Sequence, residues 1–186
     1  RVESRYNRDS NLISQKFSIG TDVLNVIVET RANGCIDYRI MDGIDRFAWH
    51  MRNVEGVRDV LSLAGVSKVV SAGWSEGSLK WRNLPRDERQ LVQAQNYIET
   101  STGLLNRDCS VMPVMLFLAD HRAETIEGVV AAVKEYRTKN PTEGVTYRLA
   151  TGNVGVMAAQ NEEVMAKEFI ILGWVFAAVT IMCLVN

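Results

Sequence analysis

Apolar and polar residues alternate along the stretch TDVLNVIVET (21–30). Leu24, Val26 and Val28 fall on one face and Val23, Asn25 and Ile27 on the other, the period-two pattern of a strand. From Asp37 the period lengthens. Ile40, Ile44, Phe47 and Met51 recur at helical spacing, and Asp37 stands where an N-cap belongs. A turn at Gly56 and a second strand from Val57 complete one β-α-β unit.

The same grammar returns downstream. SVMPVMLFLA (110–119) reads as an apolar strand, with Pro113 placing its start near a sheet edge. Ile126, Val129, Val130, Val133 and Tyr136 share one helical face, and Asn140-Pro141 ends that helix. Val145, Tyr147 and Leu149 alternate in a closing strand. Two β-α-β units in series predict an α+β fold, a ferredoxin-like split β-α-β sheet with helices on one face. An open sheet of another strand order is the alternative, because pattern alone does not fix order.

Between the units lies an insertion, residues 65–108, whose tip carries Trp74 and Trp81 amid Gly, Ser and charge. Asp87 is placed to cap a short helix in which Leu91, Ala94 and Ile98 share a face. Trp74 and Trp81 admit two readings. Either both tuck under the insertion as a satellite core, or they form a contact for a substrate or partner.

The C-terminal stretch changes character. Phe169 to Val185 are 17 residues without a charge, about 25 Å as a helix against a ~30 Å hydrocarbon core. A buried core helix usually keeps a polar stripe over that length. The stretch therefore reads as a transmembrane span cut short, from a chain that begins with Arg and belongs to something longer. The pattern before it is helical too, with Asn153 a candidate N-cap, so one helix is expected to run from the domain into the bilayer. The organisation is thus a connecting segment (1–20), an α+β domain (21–152) and a helix (153–186) with its span over about 169–186. Asn153, Glu163 and Glu168 are candidates for coupling domain to membrane, against the plainer reading of the glutamates as a solvated face.

Charge and composition narrow the function. The net charge is −1 with Lys and Arg scattered, which argues against nucleic acid as a partner. Of the cysteines, Cys183 lies in the span. Cys35 and Cys109 each precede an element of their own β-α-β unit. A disulfide between them is expected in an oxidising compartment, two free thiols in a cytosolic domain being the alternative. The only histidines are His50 and His121. Asp120 and His121 are adjacent and point apart, and no G-x-S-x-G, H-E-x-x-H, C-x-x-C or phosphate-loop motif occurs. The sequence thus points away from an enzyme and names no catalytic residue, metal ligand or cofactor.

TDVLNVIVET, NVEGVRDVLSLAGV, CSVMPVMLFLADHRAETI and above all YRLATGNVGVMAAQNEEVMAKEFIILGWVFAAVTIMCLVN resemble the resistance–nodulation–division (RND) superfamily of bacterial exporters, in its MMPL-type branch. The resemblance covers nearly the whole chain. It implies the second periplasmic loop of an inner-membrane transporter, entering the eighth membrane helix. It further implies proton-driven export of hydrophobic or amphiphilic molecules such as lipids and drugs. The partners it implies are the bilayer, the remaining membrane helices, the other periplasmic loop and the substrate, with a homo-oligomer among the assemblies it admits. The family's proton-relay carboxylates belong to membrane helices outside this sequence. A periplasmic loop suits a Cys35–Cys109 disulfide. The competing reading is a membrane-tethered extracytoplasmic binding module whose helix is only an anchor.

Overall fold

The computed structural model describes residues 5–16, 22–149 and 153–185. In chain order the elements are α1 (Arg5–Lys16), β1 (Val23–Thr30), α2 (Tyr38–Arg52), β2 (Val57–Leu61), α3 (Leu63–Trp74), α4 (Glu88–Gln95), β3 (Val111–Leu118), α5 (Ala123–Lys139), β4 (Val145–Leu149) and α6 (Asn153–Val185). Short 3-10 turns occupy Gly34–Ile36, Leu79–Trp81 and Thr100–Thr102.

The four strands form one sheet in the order β2-β3-β1-β4, and every neighbouring pair is antiparallel. Each β-α-β crossover therefore skips one strand: β3 lies between β1 and β2, and β1 lies between β3 and β4. Alternation sorts the side chains. Leu24, Val26 and Val28 of β1 and Met112, Val114, Leu116 and Leu118 of β3 are buried. They meet Ile40, Ile44, Phe47 and Met51 from α2 and Ile126, Val129, Val133 and Tyr136 from α5 in one core. Aromatic rings knit its centre. Phe47 lies 5.1 Å from Tyr136 and 4.7 Å from Tyr147 between ring centroids, contacts that add about 0.5–1.5 kcal/mol each beyond burial.

The local devices are those the sequence signals. The Asp37 carboxylate accepts from the Arg39 N–H at 2.8 Å, capping α2. Asn140 closes α5, where its backbone N–H donates to the Tyr136 carbonyl. Gly56 takes φ +88° at the turn into β2, a left-handed conformation that favours glycine.

Four expectations need correction. Pro113 marks an edge only locally: β3 is an interior strand of the sheet, but its start extends past the end of β2. The register explains why proline is tolerated. Leu118 and Thr30 donate across the β1–β3 ladder at even-numbered β3 positions, so residue 113 faces away from β1. On its other side, β2 has already ended opposite Met115. No ladder donor is lost.

The second correction is α3, a 12-residue helix at the entry to the insertion, where the sequence pattern predicts no helix. Its Ser, Gly and β-branched Val content hides it from propensity. Its cap is nevertheless written in the sequence: buried Ser62 accepts from the Gly65 N–H at 3.1 Å. Third, α4 ends at Gln95, leaving Ile98 beyond the helix although half-buried against the core. Fourth, the polar connecting segment contains α1, with an Arg5–Asp9 ion pair one turn apart.

Cys35 and Cys109 form a disulfide, with Cα atoms 5.5 Å apart. It ties the start of α2 to the entry of β3. Finally, α6 is one helix of 33 residues, about 50 Å long. Its segment Lys167–Leu184 is long and apolar enough to cross a membrane, and none of it is buried against the domain.

Candidate functional site

A cleft of about 700 Å³ opens between α2, α3 and the chain that follows α3. Helix geometry selects its first wall. Tyr38, Asp42 and Asp45 sit at spacings of four and three on α2, hence on one face. Lys68, Ser71 and Trp74 share a face of α3 in the same way, with Ser75 capping its end.

The opposite wall is made by the insertion. After α3 the chain reverses through Glu76 at φ +57° and Gly77 at φ +77°. This left-handed pair brings Leu79–Trp81 and the segment Arg82 to Arg86 back along the helix. Pro85 is buried and Leu84 packs against the core, so that segment is pinned between its two exposed arginines. Helix α4 completes the wall with Gln90, Gln93 and Ala94. It is held by fully buried Leu91, by the Asp87 carboxylate accepting from the Arg89 N–H at 3.0 Å, and by Gln95. The Gln95 side-chain amide donates to the Cys35 carbonyl at 2.6 Å, which docks the insertion on the disulfide-bearing turn.

The structure brings Trp74 and Trp81 into this one cleft. Neither is a core residue, which overturns the satellite-core reading: Trp74 is 66% exposed and Trp81 53%. Trp74 leans on Tyr97, with ring centroids 6.1 Å apart. Leu91 and Ala94 fill the space beneath the insertion instead.

The electrostatics are asymmetric. Lys68 Nζ lies 2.6 Å from Asp45 Oδ1, and Arg46 Nε lies 2.8 Å from Asp42 Oδ2. Both carboxylates of the cleft are thereby engaged. Arg82 and Arg86 have no carboxylate partner among the described residues. Arg86 lies 5.9 Å from the Tyr38 ring centroid, a cation–π distance that leaves its N–H groups uncommitted. No histidine or cysteine lines the cleft. Its groups are those of recognition: aromatic faces, amides and guanidinium ions.

The remaining candidates lie elsewhere. Asn153 is the first residue of α6; Glu163 pairs with Lys167 one turn on, and Glu168 is exposed at the start of the apolar stretch. None of them lines the cleft. His121 approaches Asp22 at 3.6 Å rather than its neighbour Asp120. Asp120 turns instead to the Arg122 N–H and the Thr125 side chain, and these bonds, Thr125 foremost, hold its carboxyl below the usual range. His50 rests against Tyr136 at 5.0 Å on the surface of α2. Among the described residues no three His, Cys, Asp or Glu side chains converge as a metal site. Sequence reasoning marked Trp74 and Trp81 but missed Arg82 and Arg86; two arginines flanking Leu84-Pro85 directly after Trp81 were the available signal.

No protein-family model matches the chain, and no curated protein gives a significant match.

Proposed function

We propose that this chain is the second periplasmic loop of an RND-type, MMPL-branch exporter in the bacterial inner membrane. In this reading α6 is the entry to the eighth membrane helix. The strand order and the two strand-skipping crossovers fit a ferredoxin-like porter subdomain. The disulfide fits an oxidising periplasm.

The observation that carries the reading is the continuity of α6. It starts within a few residues of β4 and runs without a break into the apolar span. A tether needs only a flexible linker. A transporter that moves its porter domain against its membrane helices needs a stiff one, and an unbroken helix is stiff. The protein would take hydrophobic or amphiphilic molecules from the membrane or periplasm and expel them at the expense of proton entry. Its working partners are the bilayer, the other membrane helices and the other periplasmic loop.

The test uses cells carrying the whole protein and a fluorescent hydrophobic dye. Those cells should accumulate less dye than cells lacking it, and a protonophore should erase the difference. A flexible Gly-Ser insertion between Glu163 and Lys167 should abolish export while the protein stays in the membrane. Dye exclusion indifferent to both treatments would instead mark a tethered binding module.

A further inference from the structure

We infer that the cleft between α2, α3 and the insertion binds a single amphiphilic anion, with Arg82 and Arg86 holding its charged head and Trp74 and Trp81 its apolar body. Charge bookkeeping decides the sign. The lining carries Asp42, Asp45, Lys68, Arg82 and Arg86. Lys68 neutralises Asp45, and Arg46 from just outside neutralises Asp42. What is left to greet a ligand is two guanidinium groups. A cation entering here would have to break an existing ion pair; an anion would not. Guanidinium is also the side chain that grips carboxylate or phosphate oxygens through paired N–H donors.

The aromatic residues decide the rest. Two tryptophans more than half exposed cost solvation unless something apolar covers them, and indole gives a large rigid contact at small entropic cost. A small hydrophilic anion would leave them bare. An anion with a hydrocarbon or aromatic tail uses both halves of the cleft. As a binding site this stands on geometry alone; as the site of a transported substrate it rests on the export reading.

The experiment measures tryptophan quenching in the whole protein, purified in nonionic detergent, by dibromostearate, its uncharged methyl ester and a brominated alkyltrimethylammonium. The carboxylate should bind about ten-fold more tightly than the ester, and the cation most weakly. Replacing both arginines (R82Q with R86Q) should remove the carboxylate's advantage and leave ester binding unchanged. Replacing both indoles (W74F with W81F) should remove the saturable quenching itself. Equal affinity for carboxylate and ester in the unaltered protein would overturn the inference. So would an advantage that survives R82Q with R86Q, or quenching seen only on vesicles of brominated anionic lipid, which would mean a membrane-facing surface. Quenching as expected with no protonophore-sensitive dye export would sink the export reading and keep the site.

Discussion

The hydroxyl of Tyr147, on the last strand, donates to the backbone carbonyl of Gly43, in the middle of the first core helix, at 3.2 Å. The bond spans 104 positions of sequence and is buried. It joins the closing strand of the second β-α-β unit to the helix of the first. Tyr147→Phe keeps the ring among Phe47 and Tyr136 and removes only the donor. The expected cost is about 1 kcal/mol, or roughly 2–4 °C in Tm. An unchanged melting curve would show that this hydroxyl adds nothing net to stability.

The same burial predicts a loss of stability in alkali. Desolvation pushes the Tyr147 hydroxyl, and less strongly that of Tyr136, above the ordinary tyrosine range. The folded domain thus holds protons that the unfolded chain releases from about pH 10. The contribution is complete below that pH and lost as pH rises further. In acid the sign reverses. The Arg31 side chain holds Asp37 low, the Ser110 side chain holds Asp108 low, and Thr125 does so for Asp120. Their stabilisation is present above the usual carboxylate range and fades as pH falls through it. Denaturant midpoints from about pH 2 to pH 11 should describe a plateau with both shoulders; a midpoint still rising beyond pH 10 would contradict the tyrosine assignment.

Reducing the Cys35–Cys109 bond, or replacing both residues by Ala, should cost roughly 4 kcal/mol on the chain-entropy account of a 74-residue separation. Thermal unfolding with and without reductant measures it. Alkylation should modify Cys183 alone until reductant is added.

Asp87→Ala should fray α4 at a cost of about 1 kcal/mol, because the Arg89 and Gln90 N–H groups lose their acceptor. Hydrogen exchange should quicken at the start of α4 and leave β1 and β3 untouched. Exchange that quickens throughout would mean that the insertion and core unfold together.

Val164→Pro targets the shaft of α6, where the side chain is exposed. Proline there removes a helical hydrogen bond and costs about 3 kcal/mol locally. On the proposed function, dye export should fall to background while the melting temperature of the domain is unchanged. Retained export would argue that stiffness of α6 is dispensable.

How much of this was readable beforehand depends on what each element answers to. β1, α2 and α5 answer to the core, so their periodicity names the buried faces of Val26, Phe47 and Val133; β3 is apolar at every position, so its sequence marks the strand but not the side that Val114 buries. The cap at Asp37 and the uninterrupted α6 are local and were equally legible. α3 was not, because Gly65, Val66, Ser67 and Val70 have weak helix propensity and are helical by virtue of packing. The cleft was legible only in Trp74 and Trp81. Its other members are spread from Tyr38 to Ala94, and nothing in spacing brings Asp45 near Lys68 or Tyr38 beneath Arg86. Tertiary packing of α3 and α4 on α2 does that.

The disulfide has a mechanical consequence for the cleft. Cys35 and Cys109 bracket α2, β2, α3, α4 and the whole insertion, so tension drawn along the polypeptide has a shortcut through the sulfur atoms. A pull arriving from β1 passes directly to β3, and the looped-out segment with Trp74, Trp81, Arg82 and Arg86 carries none of it. While the bridge is intact, the binding surface rides on the load-bearing sheet as a passenger; reduced, it becomes part of the rope.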